Sequence, residues 1–541
     1  MDKSIRRSTN PELNIKGIVF LTAMFIKTII LINPPGIKAI KSLGLNSPNP
    51  PIGLAYIAGV LNKSGYRYKV IDMAGEALNQ VYPYEKRTDL FIQGLTIEEA
   101  LSRIPMDTDI IGISCMFGVQ WPIISELTKR IRMNFPAVFM VAGGEQVTAL
   151  PEFSLLDSAL NAVVMGEGEK IFPVLINAVR QGESLSEIRG IAFQDGTTNS
   201  IAVHPREDRI KDLDSIPWPD WSSIPIENYI DADLQNGVNR GRSMPIISSR
   251  GCPFKCTFCS NSRMWNSKFN ARNPYDVVSE MKDYIDRYRI ENFNFQDLTA
   301  FVEKKKVMIL AQEIVRQKLN ITWQLPSGTR IERFDDEVAK AVYESGCRNI
   351  AFAPESASPE ILKSVKKQVN LDHMERAIKI AVANKINLAC FIVVGFPSES
   401  AETLRLTLKY VRYLARLGVT DIGVSQFVPY PGSELFSELQ ESGIIELNND
   451  YLLSTMNFYL KGNHSFARDL SPKEIYRWQL RLLVNFYFTS FLFFPIKTIK
   501  NILNALFFKK EETRYAKFIT DVVYRRSRIF FSKNIKLGER S

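Results

Sequence analysis

From residue 28 to residue 442 the chain alternates short apolar runs with longer stretches in which apolar residues recur every three or four positions. Runs of four to eight apolar residues bounded by turn signals read as buried strands, and the 3.6-residue period reads as amphipathic helix. The first series predicts strands at Thr28–Asn33, Tyr68–Asp72, Asp109–Ser114, Val138–Gly143 and Ala162–Met165. Helices are expected over Ile52–Ser64, Trp121–Asn134 and Glu169–Arg180, with an insertion carrying a helix at Thr96–Arg103. Strands alternating with helices imply an α/β fold with a parallel, doubly wound sheet, which binds ligands at the carboxyl ends of its strands. A second series gives six βα units, with strands at Pro245–Ser249, Asn292–Gln296, Thr322–Leu325, Asn349–Ala353, Asn387–Val394 and Asp421–Phe427. Eight units would close a TIM barrel; six predict a partial one.

The pattern divides the chain into an extension (1–27), a Rossmann-like domain (28–185), a connector (186–243), the partial barrel (244–442) and a C-terminal helical region (443–541). In the extension, Ile18 to Phe25 is apolar, but its long polar lead and missing small-residue cleavage site argue against a signal peptide. The connector holds a hairpin-like piece around Asp195-Gly196 and a Pro/Trp-rich strap from Leu213 to Trp221, whose tryptophans are expected to pack rather than bind. In the last region, Leu482 to Ile496 carries no charge, yet it is short of the about 20 apolar residues a spanning helix needs, and Pro495 interrupts it.

At 541 residues, 45% hydrophobic and 23% charged, most of the chain can bury a core. The net charge of +10 is concentrated in the tail, where Lys497 to Ser541 holds twelve Lys/Arg against four Asp/Glu. A polybasic end after an apolar helix predicts an in-plane helix on an anionic membrane surface; the alternative is a hydrophobic helix packed over the barrel mouth. No nucleic-acid-binding module accompanies the basic tail, so no nucleic-acid partner is expected. Six cysteines in this length do not make a disulfide framework and point to a reducing cytosol, with the protein peripheral on the inner face of the membrane.

Three of those cysteines, Cys252, Cys256 and Cys259, fall in a Gly/Pro-bearing loop directly after the first barrel strand, with spacing CxxxCxxC. Three soft thiolates suit an iron–sulfur cluster or zinc. Structural zinc takes four ligands, and none of His204, His373 and His464 lies near the loop in sequence. The glycine-bearing loops after the N-terminal strands match neither GxGxxG nor GxxxxGK[ST], so neither a dinucleotide fingerprint nor a P-loop is supported.

The CxxxCxxC loop after a first barrel strand, with Phe258 before the third cysteine, resembles the radical S-adenosylmethionine (SAM) superfamily. Pro51-Ile-Gly-Leu-Ala-Tyr-Ile-Ala-Gly, Val70-Ile-Asp72, Gly143-Gly144 and Gly166-Glu-Gly-Glu169 resemble the cobalamin-binding domain of its cobalamin-dependent branch. That branch includes the anaerobic magnesium-protoporphyrin ester cyclase and radical SAM methyltransferases. The resemblance implies that Cys252, Cys256 and Cys259 ligate a 4Fe-4S cluster whose open iron chelates SAM, and that reductive cleavage of SAM gives a 5′-deoxyadenosyl radical. It implies SAM contacts from Phe258, Asp297, Arg330, Glu355, Gly395 and Pro397, and cobalamin contacts from Pro51, Gly53, Ser114, Gly143, Gly144, Gly166, Glu167 and Gly168. The DxHxxG motif that supplies a cobalt-ligating His in many cobalamin proteins is absent.

The expected activity is methyl transfer from methylcobalamin to an unreactive carbon of a small-molecule or lipid substrate, with flavodoxin or ferredoxin as electron donor. Oxidative cyclisation or rearrangement on the same cofactors is the alternative. A non-catalytic corrinoid-binding or sensory protein is the rival from another class, and the intact CxxxCxxC argues against it. A methylthiotransferase would need further N-terminal cysteines, and only Cys115 is there.

Overall fold

The computed structural model describes residues 27–39, 48–195, 200–456 and 464–525. The expected N-terminal extension and the end of the basic tail lie outside them, apart from Lys27.

The first domain is built on β1 (Thr28–Asn33), whose TIILIN sequence is buried on both faces. That burial is what a central parallel strand requires. α1 (Ile52–Lys63) leads to β2 (Tyr68–Asp72), and then come β3 (Thr108–Ser114), α2 (Trp121–Asn134), β4 (Phe139–Gly143), β5 (Ala162–Val164) and α3 (Gly168–Gln181). β1 lies between β2 and β3 and pairs parallel with both, so the strand order reverses at β1 and opens a crevice at its carboxyl end. The connector hairpin, β6 (Ile191–Asp195) and β7 (Ser200–Val203), pairs antiparallel beyond β5 and extends this sheet to seven strands, order β7-β6-β5-β4-β3-β1-β2. The insertion, at residues 81–84 and 87–93, forms a small antiparallel sheet with residues 36–39, which follow β1.

The Pro/Trp strap lies across α1. Asp220 N donates to Ala55 O at 2.9 Å, and a Cβ on Gly59 would sit 2.3 Å from Trp218 O. Trp221 is buried and donates to Tyr284 Oη at 3.0 Å, so the strap fastens the first domain to the barrel's first helix.

The barrel strands are β8 (Ser243–Ile246), β9 (Asn292–Phe295), β10 (Thr322–Thr329), β11 (Cys347–Glu355), β12 (Asn387–Val394) and β13 (Asp421–Gln426). They pair in chain order and all parallel, an open six-stranded barrel. α4 (Pro274–Tyr288), α5 (Lys304–Arg316), α6 (Asp336–Glu344), α7 (Leu371–Ala383) and α8 (Ala401–Arg416) complete the crossovers. Cys347 and Cys390 are fully buried in this core, as expected of small apolar side chains.

Among the described residues, the long hydrophobic helix packs on the barrel's flank, with its first turn at the rim. α9 (Pro472–Phe493) runs down the flank of β13 beside α8. Ile475 packs at Gly395 on the rim, Gln479 Nε2 donates to Val424 O at 2.7 Å, and Tyr487 lies beside Asp421 at the strand's amino end. An edge strand is thereby covered by a helix. α10 (Pro495–Phe508) then turns by 112°. The segment leading into α11 (Arg514–Thr520) crosses the barrel floor. Glu512 O accepts from Asn349 and Asn387, and the Asp421 carboxylate accepts from Arg514 N and Tyr515 N at 2.9 and 2.8 Å. No single described helix is long and apolar enough to cross a membrane.

Candidate active site

The cysteine loop leaves β8 through Ser248-Ser249-Arg250 and is held in shape by its neighbours. Asn261 Nδ2 donates to Cys252 O at 2.9 Å, Cys259 N to Cys256 O at 3.1 Å, and Thr257 N to Val365 O at 3.1 Å. Burial pushes all three thiols up, Cys259 to about 12, while the charges of Lys367 and Arg330 oppose the shift at Cys252 and Cys256. Thiolates in such a place are stabilised by metal coordination rather than by water. Among the described residues, no three Cys, His, Asp or Glu side chains come together as ligands of one ion. A four-iron cluster takes each thiolate on a different iron, so its ligands need not converge on a point.

The other strand ends surround this loop. At the end of β10, the Arg330 guanidinium lies 3.6 Å from the Phe254 ring centroid and bonds Glu332 and Gln368 O. Its Nε and Nη1 are buried without a hydrogen-bond partner. A buried charged donor left unpaired costs several kcal/mol unless a ligand takes it, so Arg330 fits a carboxylate-bearing cofactor such as SAM. At the end of β11, Glu355 stands at φ +65°, left-handed for a non-glycine residue. It accepts from Lys367 Nζ at 2.9 Å, and both side chains are buried. At the end of β12, Gly395 N donates to Glu399 Oε2 at 2.7 Å. Phe258 packs on Phe396 at 5.5 Å between centroids, so the residue before the third cysteine meets the Gly395-Phe396-Pro397 turn. Pro397 itself accepts from Arg468 N at 3.2 Å.

Asp297 was expected to face SAM or substrate, and it does something else. Its buried carboxylate accepts from Ser248 N at 3.1 Å, Ser248 Oγ at 2.6 Å and Ser249 Oγ. It fixes the exit of β8 into the cysteine loop.

Several N-terminal expectations also change. Glu167, expected against the corrinoid, gives both carboxylate oxygens away. Arg209 Nε is at 2.7 Å, Ile210 N at 2.9 Å and Arg250 Nη1 at 3.2 Å. Arg250 also bonds Glu169 at 2.7 Å. The Gly166-Glu-Gly-Glu169 loop thus reaches the barrel through its two carboxylates, while Gly166 lies against Arg206 of the connector and Gly168 against Ile57 of α1. Gly144 is required by its own backbone, since at φ +128° a Cβ would lie 2.4 Å from Cys115 O. In contrast, a Cβ on Gly53 would meet nothing within 4 Å, and one on Gly143 only Val164 at 4.0 Å. Pro51 N-caps α1, and Ser114 ends β3 opposite Gly143. These open glycines at the crevice, with Gln146 Nε2 buried and unpartnered nearby, fit a bulky polar ligand such as a corrinoid.

The two sets of strand ends meet. Glu145, directly after Gly144, accepts a hydrogen bond from Ser260, directly after Cys259, and burial pushes its carboxyl up. Gly432, on the loop after β13, packs on Ala149. Sequence reasoning missed Glu145, Lys367 and Glu399. Lys367 has no motif of its own, and only the buried carboxylate facing it reveals a role.

Family models for the radical SAM superfamily and for the B12 binding domain match residues 246–411 and 45–176. The chain is 29% identical to an uncharacterised methyltransferase of Pyrococcus horikoshii, over 83% of this chain and 91% of that protein. It is 28% identical to the cytidylyl-2-hydroxyethylphosphonate methyltransferase of Streptomyces wedmorensis, over 73% and 79%. The structure of a radical S-adenosylmethionine methyltransferase from Kitasatospora setae, solved with cobalamin and a 4Fe-4S cluster bound, superposes with a TM-score of 0.60 at 19% identity, covering 77% and 78%. It shares the fold. Barrel, cysteine loop and family match together define a radical SAM enzyme. More narrowly, the chain carries a B12-binding domain ahead of its radical SAM domain, and its cofactors are a 4Fe-4S cluster, SAM and cobalamin.

Proposed function

We propose that this protein is a methyltransferase that methylates an unreactive carbon of a small-molecule substrate. When bound, the cofactors supply a 5′-deoxyadenosyl radical from SAM and a methyl group from the corrinoid. The chain positions them and excludes water. Cys252, Cys256 and Cys259 hold the cluster; Arg330, with the Glu355–Lys367 pair, takes the amino-acid end of SAM; Phe258 and the Gly395-Phe396-Pro397 turn border its adenine. Pro51, Gly53, Ser114 and Gly143 border the corrinoid.

The observation that carries this reading is the Glu145–Ser260 contact, which sets the strand ends of the corrinoid domain against the loop that bears the cluster cysteines. Methyl transfer needs both cofactors at one cavity. The partners are the substrate, an electron donor of flavodoxin or ferredoxin type, and an anionic membrane surface at the inner face of the cytoplasmic membrane. The exposed apolar helices lie at the barrel floor, away from the rim, so membrane association does not by itself make the substrate a lipid.

Anaerobic reconstitution with iron, sulfide and cobalamin tests the proposal. Methyl transfer predicts both 5′-deoxyadenosine and S-adenosylhomocysteine. Deoxyadenosine alone, on a corrinoid-loaded enzyme turning over its substrate, would point to cyclisation or rearrangement instead. Cys256→Ala is expected to abolish deoxyadenosine formation, and full SAM cleavage by that variant would sink the site assignment.

A further inference from the structure

The C-terminal helices expose apolar side chains in register. On α9, Val484, Phe488 and Leu492 recur every four residues and are exposed, Phe488 by 61%. On α10, past the 112° bend, Ile496, Leu503 and Phe507 share one helix face by their spacing, with Ile496 exposed by 83% and Phe507 by 72%. Large aromatic and aliphatic side chains spaced along one helix face, and left open to water, mark an interaction surface. They are not needed for the core, since α9 fills its inward face with Ile475, Gln479, Leu482, Phe486 and Thr489.

A second feature borders the ridge. On α8, Arg405, Lys409, Arg412 and Arg416 share one exposed face at spacings of four, three and four. Arg412 donates to Asn485 of α9 at 2.9 and 2.6 Å, and the Arg416 guanidinium lies over Phe493 at 5.4 Å. Among the described residues none of these four bases makes an ion pair with a carboxylate. Lys500 lies within the α10 ridge and Lys509 at its end, both exposed. Bases beside an apolar ridge match a bilayer with anionic headgroups: the aromatic side chains enter the acyl boundary and the bases stay at the headgroups. A second copy of the chain would bring the same cationic stripe against itself or leave it unpaired, which disfavours self-association.

We infer that the α9–α10 ridge, bordered by the basic face of α8, lies in the plane of an anionic lipid bilayer and anchors the barrel by its flank and floor. This rests on the membrane partner proposed above and is independent of the radical chemistry. The anchor is fixed to the barrel through the Asp421, Glu512 and Arg514 contacts across the floor. The enzyme would therefore dock with the catalytic rim turned away from the bilayer.

The test is flotation of the full-length protein with vesicles of phosphatidylcholine, alone or mixed with phosphatidylglycerol. The protein is expected to float with the mixed vesicles and to bind pure phosphatidylcholine at least about tenfold more weakly; high salt should release it. The double variant Arg405→Glu/Lys409→Glu, on an exposed face that the core does not use, should cost about tenfold or more in anionic-vesicle binding. Phe488→Glu with Phe507→Glu should abolish flotation, with circular dichroism reporting that the variant is folded. The inference is overturned if the protein floats with neither vesicle, if it floats equally with both, or if only detergent releases it, which would mean that the bent pair crosses. It is also overturned if Phe488→Glu dissociates a dimer that ignores vesicles. Deoxyadenosine formation, assayed without vesicles, reports separately on the proposed function.

Discussion

Glu399 shows how one buried carboxyl can set a pH dependence. It accepts from Gly395 N, and burial pushes its pKa from 4.5 up to about 7. The native state therefore keeps a proton that the unfolded chain releases near pH 4.5. Between those values unfolding releases the proton, so raising the pH favours the unfolded chain. The contribution is fully present below about pH 4.5 and is lost as pH rises to about 7. A shift of this size corresponds to about 3–4 kcal/mol at most. Glu399→Gln keeps the side-chain shape and removes the titration. The melting temperature of the wild type is expected to fall from pH 5 to pH 7.5 relative to that of Glu399→Gln; parallel curves would show that Glu399 titrates as it does in water. The same residue illustrates what a sequence hides. The Gly395-Phe396-Pro397 turn stands out as a strand end, but nothing in the pattern says that a glutamate four residues on holds it. Glu355 and Arg330 were legible because strand ends collect chemistry. Lys367, which faces Glu355 across the turn after a short helix, was not. Asp297 and Glu167 were found in the right loops with the wrong partners, since spacing reports that a carboxylate is present and not which donors surround it.

Periodicity is a better guide to elements than to their junctions. The strand and helix patterns placed the six barrel units and the five parallel strands of the first domain within a few residues, because buried parallel strands read as apolar runs. The connector hairpin was legible as a hairpin but not as an edge of the first sheet, because pairing across β5 and β6 is settled by backbone hydrogen bonds rather than by side-chain type. The strap was recognised by its prolines and tryptophans; its seat on α1 was not, although Gly59 held the clue. At 2.3 Å from Trp218 O, a Cβ there cannot fit unless the strap lifts. Gly59 sits inside a helix, where alanine would ordinarily stabilise by about 0.5–1 kcal/mol. The close contact reverses that sign, and overpacking of this kind costs about 1–3 kcal/mol. Gly59→Ala is expected to lower stability in urea denaturation, and a gain in stability would show that the strap is free to move.

At the scale of the whole molecule, the two domains are joined by buried charge. Glu167 and Glu169 of the first domain meet Arg209 of the connector and Arg250 of the barrel, with all four side chains at most 9% exposed. Arg209 also donates to Trp265 O and Lys268 O, and Arg206 to Met264 O, so the connector is tied to the segment just beyond the cysteines. Such a cluster is weak evidence for net stability, because desolvation offsets much of its Coulomb energy. Breaking it is another matter. Removing Glu167 would leave the Arg209 guanidinium buried with carbonyl partners only and Arg250 with Glu169 alone, at a cost of about 3–5 kcal/mol. That cost falls on the domain interface, because the sheet and the barrel each keep their own hydrophobic cores. Calorimetry of the wild-type protein should therefore show one cooperative transition. Glu167→Ala should split it, with the first domain and the barrel melting separately, and Glu167→Gln, which can still accept from Arg209, should fall between. A single unshifted transition in Glu167→Ala would mean that the strap and the Glu145–Ser260 contact hold the domains together without the ion cluster. The corrinoid crevice and the cysteine loop would then owe their registry to those contacts.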